Sequence, residues 1–297
     1  MGCSEKLGKD IWWGGNALTE YTYSASQKTK NKMAKETYEL YGGKVILEFD
    51  PQSHIYSANG KQVWGVTNIT GVLNKPALLY WGVNQAVDFM ANNLKPGVAL
   101  DEIQIKNLLE SARIAHTQTK NQAADIGTLI HNWVRDYVSA VAQKKTSPKR
   151  PINKEMKNAI DGFFKWAKEN KLVIARSERK VYHDKFRYAG TLDLEGMVNG
   201  KRTVIDLKTG NALYPEAFLQ ASAYLKAREQ ETGKQYPGGI VIVRLSKENP
   251  EKHIAAFEAR RDEDVDLHFK CFLNCLSIYR WQQAMRKQQL INKINGN

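Results

Sequence analysis

The chain has few cysteines and no long apolar run. Its 297 residues include three cysteines, Cys3, Cys271 and Cys275, and no two of them form a Cys-x-x-Cys pair. This pattern excludes a disulfide framework and indicates a reducing compartment. No apolar run approaches the roughly 20 residues of a membrane-spanning helix, and no secretory signal is visible. We therefore expect a cytoplasmic protein without a membrane partner.

The chain is also short of acidic residues. Aspartate and glutamate number 31 against 44 lysines and arginines, which gives a net charge of +13 and a pI near 9.5. A basic protein of this size suits a polyanion, and DNA or RNA is the default candidate. Surface charge that only maintains solubility is the alternative. The length is sufficient for one large domain or two small ones, and no internal repeat appears.

Hydrophobic periodicity predicts alternating helices and strands. In the second half, the order is helix, three strands, helix and strand. This order predicts an α/β (α+β mixed) fold in which helices flank a mixed central β-sheet. The expected helices are 78–93, 101–117, 120–142, 153–170, 214–231 and 262–290, and the expected strands are 45–49, 54–56, 62–66, 172–183, 188–198, 202–208, 239–245 and 253–259.

The most informative residues lie on two neighbouring predicted strands. Asp206 ends an apolar run, and Lys208 follows two positions later, so both side chains leave the strand on the same face. Asp193 follows a Gly-Thr step upstream, and it reaches the same place if the two segments pair as a hairpin. Two carboxylates and one ammonium at one sheet edge form a site for a divalent cation and an attacked phosphate.

The acid-x-lysine spacing alone is not specific, because it occurs four times in the chain. Two occurrences, Glu155-x-Lys157 and Glu169-x-Lys171, lie in polar, helix-like stretches and indicate solvated faces. Only Asp206-x-Lys208 closes an apolar strand and is followed by Thr-Gly. Burying charges at such a strand end is costly unless they are paired or bind a ligand. A surface ion pair between Asp206 and Lys208 is the alternative.

Four segments in order resemble the core of the PD-(D/E)xK nuclease superfamily, and more closely its RecB-like, phage-type exonuclease branch. The resemblance covers about residues 120–245 and implies a restriction-endonuclease-like core. The segments are Gly127-Thr-Leu-Ile-His131, Gly190-Thr-Leu-Asp193, Asp206-Leu-Lys208-Thr-Gly210 and Gln220-Ala-Ser-Ala-Tyr224.

The resemblance implies that a divalent cation is bound in the site. Its ligands would be His131, Asp193, Asp206 and the backbone carbonyl of Leu207, with Asp206 best placed to bridge two cations. Lys208 would orient the attacking water or stabilise the transition state. Mg²⁺ is the implied ion, and an imidazole beside oxygen ligands also tolerates Mn²⁺. Three cysteines at these spacings cannot supply the four-cysteine iron–sulfur cluster of some relatives.

Three further residues are candidate catalytic groups. Glu178 corresponds to a third acid near the cation or its water, although a salt bridge to Arg179 or Lys180 is the alternative. Gln220 and Tyr224 are four residues apart and share one helix face. The resemblance implies that this face leans over the site, with Gln220 contacting the metal-bound water or the phosphate. An ordinary amphipathic helix is the alternative.

The sequence that follows His131 departs from the family pattern at one position. His131 follows Gly127-Thr128 at the interval typical of the RecB-like branch, whereas a lone helical histidine more often serves packing or hydrogen bonding. The family often has an acid four positions later, but this chain has Arg135 there and Asp136 one step further on. The chain therefore departs from the family pattern at this turn of the helix.

The expected domains are 1–118, 119–261 and 262–297. Residues 1–118 would form an N-terminal hairpin and helical subdomain that handles substrate or serves as a structural cap. This subdomain includes a threonine-rich turn, Thr67 to Thr70, that resembles the opening of phage relatives. Residues 119–261 would form the nuclease core, and residues 262–297 a C-terminal helix packed on it.

The function implied is a metal-dependent deoxyribonuclease, most directly an exonuclease in phage or bacterial DNA recombination, replication or degradation. The partner would be linear DNA, single- or double-stranded, and a single-strand annealing or binding protein stays open as a second one. If the chain is phage-encoded, it would act in the bacterial host cytoplasm. The alternatives are a catalytically silent, DNA-binding nuclease fold and a structure-specific endonuclease. Oligomeric state is left open.

Overall fold

A computed structural model describes residues 12–13, 34–73, 75–248, 257–262 and 264–295. The side chains of residues 12–13, 257–261 and 294–295 are outside this description. Most of the N-terminal 40 residues, whose role the sequence did not indicate, therefore lie outside the described residues. Within the described ranges, no helix combines the length and the apolar character needed to cross a bilayer.

The N-terminal part forms an antiparallel meander that ends in a short helix. Asn59 and Gly60, with φ of 48° and 74°, make the tight turn between two of its strands. The strand at Glu36–Leu40 and the short helix were not predicted, since both are brief and weakly patterned. The elements are β1 (Trp12–Trp13), β2 (Glu36–Leu40), β3 (Val45–Asp50), β4 (Ile55–Ala58), β5 (Lys61–Gly65) and α1 (Val66–Thr70).

Three helices follow: α2 (Pro76–Asn93), α3 (Glu102–Ala142) and α4 (Lys154–Glu169). The expectation of two helices within 101–142 was wrong, because α3 runs unbroken for 41 residues. Neither proline nor glycine interrupts the junction at 117–120, where the Thr119 hydroxyl bonds back to the Ala115 carbonyl oxygen at 3.2 Å. At the start of α4, the Asn153 side chain accepts a hydrogen bond from the Met156 N–H.

The second half supplies the central sheet and its covering helices. It consists of β6 (Val173–His183), β7 (Tyr188–Val198), β8 (Lys201–Lys208), α5 (Pro215–Thr232), β9 (Ile240–Leu245), β10 (Phe257–Asp262) and α6 (Val265–Asn295). Proline at the first position starts α5, and Gly233, with φ of +66°, ends it. The strand expected at 253–259 lies partly outside the described residues.

The sheet is mixed, as the sequence predicted. Its strand order is β10-β9-β8-β7-β5-β4-β3-β2, and β6 lies between β7 and β1. The pairing of β7 with β8 is antiparallel, with Leu194 opposite Ile205, whereas β8 and β9 are parallel. The strands that carry Asp193 and Asp206 are therefore a hairpin. The protein is a mixed α/β fold with a central mixed sheet and flanking helices.

The core joins the N-terminal elements to the central sheet. Val66 and Ile69 of α1 are buried in the same cluster as Leu192 of β7 and Tyr224 of α5. The Tyr56 hydroxyl and Thr191 Oγ1 are 3.0 Å apart, so β4 is hydrogen-bonded to β7 two residues before Asp193. The described residues up to Val72 and from Ile130 onward accordingly form one compact unit, and Leu73–Leu129 form a second. This grouping differs from the boundary expected at residue 118.

Candidate active site

Three potential metal ligands converge from α3, β6 and β7. His131, Glu178 and Asp193 each offer one ligand atom, and these atoms all lie within 4.8 Å of one another. His131 Nδ1 is 3.5 Å from Asp193 Oδ1. All three side chains are partly buried. An imidazole nitrogen and two carboxylates form a donor set that suits Mg²⁺ or Mn²⁺.

A local distortion of the sheet accompanies this convergence. Glu178 has φ of +50°, a left-handed conformation that is rare for a non-glycine residue inside a strand. The flanking residues stay in register, with Ser177 opposite Leu194 and Arg179 opposite Leu192. Strained backbone of this kind concentrates at functional sites, where the surrounding structure holds it.

The pKa values of the two carboxylates of this group are shifted in opposite directions. Burial raises the pKa of Glu178, and repulsion from the Asp193 carboxylate raises it further. Burial also acts to raise the pKa of Asp193, but His131, Lys208 and the Leu207 N–H hold it below its ordinary value. Asp193 is therefore the more readily ionised carboxylate. A bound cation would offset the electrostatic repulsion between the two ionised carboxylates.

A buried Asp206 carboxylate pairs with the partly exposed Lys208 ammonium beside this group. Asp206 is 3% exposed, and its Oδ2 is 2.6 Å from Lys208 Nζ. The Lys208 ammonium is the one polar partner of that oxygen among the described residues. Burial raises the pKa of Asp206 to about 6, although Lys208 opposes the shift. Asp206 is not one of the three residues whose ligand atoms cluster within 4.8 Å.

The backbone of β8 is tied to Asp193. The Leu207 N–H donates a hydrogen bond of 2.7 Å to Asp193 Oδ2. This bond and the contact of the other carboxylate oxygen with His131 fix the Asp193 side chain between β8 and α3. The predicted role of the Leu207 carbonyl as a ligand stays a prediction.

Gln220 and Tyr224 lie on the face of α5 that covers the site. Lys208 Nζ donates to Gln220 Oε1 at 3.4 Å, and Gln220 Nε2 donates to Thr70 Oγ1 at 3.0 Å. The Tyr224 ring lies against Gly190, where an added Cβ would be 2.5 Å from Tyr224 Cε1. Burial raises the Tyr224 pKa well above its ordinary value, with a further contribution from Asp206. The Gly190-Thr191 step thus admits a tyrosine ring beside the carboxylates.

Sequence reasoning assigned no role in the site to Thr70. The only signal was its place at the end of the threonine-rich turn, and no side-chain spacing linked it to Gln220, which lies 150 residues away. The neighbours of Glu178 have other carboxylate partners. Arg179 contacts Glu231 at 2.8 Å, and Lys180 is 3.7 Å from Glu36. The Lys180 charge also acts to lower the pKa of Glu178.

Comparison with known proteins gives remote similarity only. Neither a protein-family model nor a curated protein matches the chain. One similar solved structure is an alkaline exonuclease, LHK-Exo, from Laribacter hongkongensis, with 12% identity and a TM-score of 0.33 over 56% of this chain and 84% of that chain. The complex of LHK-Exo with dAMP gives 13% identity and a TM-score of 0.35 over 78% and 97% of the two chains. At these scores the similarity carries no argument about function.

Proposed function

We propose that the chain is a divalent-metal-dependent nuclease that hydrolyses phosphodiester bonds in DNA. The observation that carries the proposal is the convergence of His131, Glu178 and Asp193 within 4.8 Å. The ion pair of buried Asp206 with Lys208 lies next to it. A structural ion pair alone would not account for three further ligand groups and a left-handed glutamate at the same place.

The residues at the site fit a hard divalent cation. His131, Glu178 and Asp193 would hold it, and Asp206 is the adjacent carboxylate that our sequence analysis assigns as a further ligand. The Asp206 carboxyl is buried close enough to Asp193 for the Asp193 charge to raise its pKa, and a cation would offset that repulsion. When bound, such an ion neutralises phosphate charge and lowers the pKa of coordinated water. Mg²⁺ is the expected ion, with Mn²⁺ also compatible with the donor set.

The positively charged side chain of Lys208 has a role separate from that of the metal ion. Lys208 is held by Asp206 on one side and Gln220 on the other. Burial acts to lower its pKa, but Asp206 outweighs this and the pKa is raised, so the side chain stays a protonated ammonium. A fixed ammonium stabilises negative charge that grows on the phosphate oxygens in the transition state. An arginine would differ in reach and hydrogen-bond geometry.

DNA is the proposed substrate because the chain has a net charge of +13 and the site combines carboxylates with a lysine. We favour an exonuclease that acts in recombination, replication or degradation of phage or bacterial DNA. A structure-specific endonuclease would need the same groups. A silent DNA-binding fold is disfavoured, because loss of activity would have removed the selective reason for retaining Asp193, Asp206 and Lys208 together.

Digestion of end-labelled linear DNA, single- and double-stranded, tests the proposal directly. The wild-type protein should degrade it with Mg²⁺ or Mn²⁺ and stop when a chelator is added. Asp206→Asn and Lys208→Ala should each lower the rate at least about a hundredfold, because each removes a charge from the reaction centre. An unchanged rate in either folded variant would refute the site assignment.

Matched controls separate this proposal from its rivals. Asp161→Asn alters an exposed carboxylate on α4 that pairs with Arg150, and it should leave the rate unchanged. Closed circular DNA should survive an exonuclease, whereas nicked circles would favour the endonuclease. Wild-type protein that binds DNA without cutting it, across metals and pH, would favour the silent fold.

A further inference from the structure

A partly buried hydrogen-bond chain links the short helix α1 to the ammonium of Lys208. We propose that Thr70 is a positioning residue for Lys208, acting through the side-chain amide of Gln220. This inference rests on the proposed nuclease function and adds the N-terminal part of the chain to the same site.

Three consecutive contacts make up the hydrogen-bond chain. The Thr70 hydroxyl donates to the Thr67 carbonyl oxygen at 3.2 Å. Its oxygen accepts from Gln220 Nε2 at 3.0 Å, and Gln220 Oε1 accepts from Lys208 Nζ at 3.4 Å. Thr70 is 2% exposed, so water cannot readily replace its hydroxyl.

The direction of these hydrogen bonds fixes the orientation of the Gln220 side-chain amide. A threonine hydroxyl has a single proton, and Thr70 uses it on the Thr67 carbonyl. The remaining lone pairs can only accept, so they select the NH₂ end of Gln220. The carbonyl end of the amide is then turned toward Lys208. In the reverse orientation, NH₂ donors would face an ammonium, which is itself only a donor.

The consequence for Lys208 is a defined geometry. An ammonium has three N–H donors on a flexible stem. Asp206 Oδ2 and Gln220 Oε1 engage the ammonium from two directions, which leaves donor capacity for a substrate oxygen. Preorganised donors of this kind stabilise developing charge better than mobile ones, because they need no reorganisation during the reaction.

The position of Thr70 in the fold makes it a stable anchor. Its neighbours on α1, Val66 and Ile69, are 1% and 0% exposed and belong to the cluster that includes Tyr224 of α5. The hydroxyl therefore stands on a helix packed against the same element that carries Gln220. Valine at position 70 would keep the shape and remove the hydroxyl, whereas serine would keep the hydroxyl.

Kinetics of Thr70→Val and Thr70→Ser, alone and combined with Gln220→Ala, test the inference. Thr70→Val should lower kcat by about threefold to tenfold, the loss expected for one neutral hydrogen bond, with little change in KM. Thr70→Ser should retain wild-type kcat. In the Gln220→Ala background, Thr70→Val should change kcat by less than about twofold, because the two residues act in series.

Thr203→Val is the matched control. Thr203 is another fully buried threonine, and its hydroxyl donates to the Lys201 carbonyl oxygen. Loss of that hydroxyl should affect stability without lowering kcat. Equal kcat for wild type and Thr70→Val would overturn the inference, as would a full effect of Thr70→Val in the Gln220→Ala background.

A measurement independent of activity separates this inference from the nuclease proposal. With glutamine labelled by ¹⁵N, the side-chain amide protons of Gln220, assigned by their absence in Gln220→Ala, should exchange slowly in wild type and Thr70→Ser. They should exchange at least about tenfold faster in Thr70→Val. If the wild-type protein cleaves no DNA but this difference appears, the positioning stands and the nuclease proposal fails. Equal exchange rates in all three proteins would overturn the positioning.

Discussion

At the residue scale, the candidate site brings together groups whose ionisation is mutually dependent. Glu178 and Asp206 have raised pKa values, while Asp193 has a lowered one. His131 has a raised pKa, because the Asp193 carboxylate outweighs the effect of burial, which acts to lower it. This unequal distribution of charge is the property expected of a pocket built around a cation.

His183 is a titratable residue that belongs to the hydrophobic core rather than to the candidate site. Burial lowers the pKa of His183 to about 4, and its ring lies against Phe186, Tyr188 and Phe269. The Phe186 N–H is 3.4 Å from His183 Nδ1, which must be unprotonated to accept that hydrogen bond. The folded state therefore holds the neutral ring.

This predicts a loss of stability in acid. Because the unfolded histidine takes up its proton at higher pH than the folded one, the contribution is complete above about pH 6.5. It is lost as the pH falls toward 4, by at most about 3 kcal/mol. His183→Phe should flatten the pH dependence of the unfolding free energy in this window, measured by urea titration. An unchanged slope in His183→Phe would contradict the prediction.

The sequence indicates Asp206 and Lys208 because charges at the end of an apolar strand need a physical reason. It indicates Asp193 because this acid follows a Gly-Thr step. The pairing of the two segments as a hairpin, which brings Asp193 beside Asp206, is seen in the structure. Thr70 was not identified, because a five-residue helix has too little periodicity to be recognised and its partner lies in a distant segment.

At the element scale, α5 approaches β7 unusually closely. Gly190 allows this approach, because an added Cβ would lie 2.5 Å from Tyr224 Cε1 and 3.3 Å from Val66 Cγ2. The sequence showed a Gly-Thr step before Asp193 but not the ring that requires it. The continuity of α3 is a second feature that the sequence did not predict at this scale, since two helices were expected between 101 and 142. Without proline or glycine at 117–120, the helix continues.

Gly190→Ala should therefore destabilise the protein by about 1–3 kcal/mol, since the core must shift to admit the methyl group. The urea midpoint measures this change. Gly65→Ala is the matched control, because its nearest neighbour would be 3.7 Å away, an ordinary contact. In the Tyr224→Leu background, Gly190→Ala should cost less than in wild type. Wild-type stability of Gly190→Ala would contradict the close approach.

At the scale of the whole molecule, the site draws on segments that are far apart in sequence. Thr70, His131, the β6–β8 strands and Gln220 all belong to the same compact unit. The sequence predicted the mixed sheet and its flanking helices. It did not show the parallel pairing of β5 with β7 or the packing of α1 into the core. Such long-range contacts leave no periodic pattern in the sequence.

The central claim is that His131, Glu178 and Asp193 bind a divalent cation together. Anomalous diffraction from crystals grown with Mn²⁺ measures this most directly, with Asp193→Asn crystals grown in the same way as the comparison. We predict one strong anomalous peak between these three side chains in the wild-type protein and a weak or absent peak in Asp193→Asn. Manganese bound elsewhere, with no peak between these residues in wild-type crystals, would contradict the account.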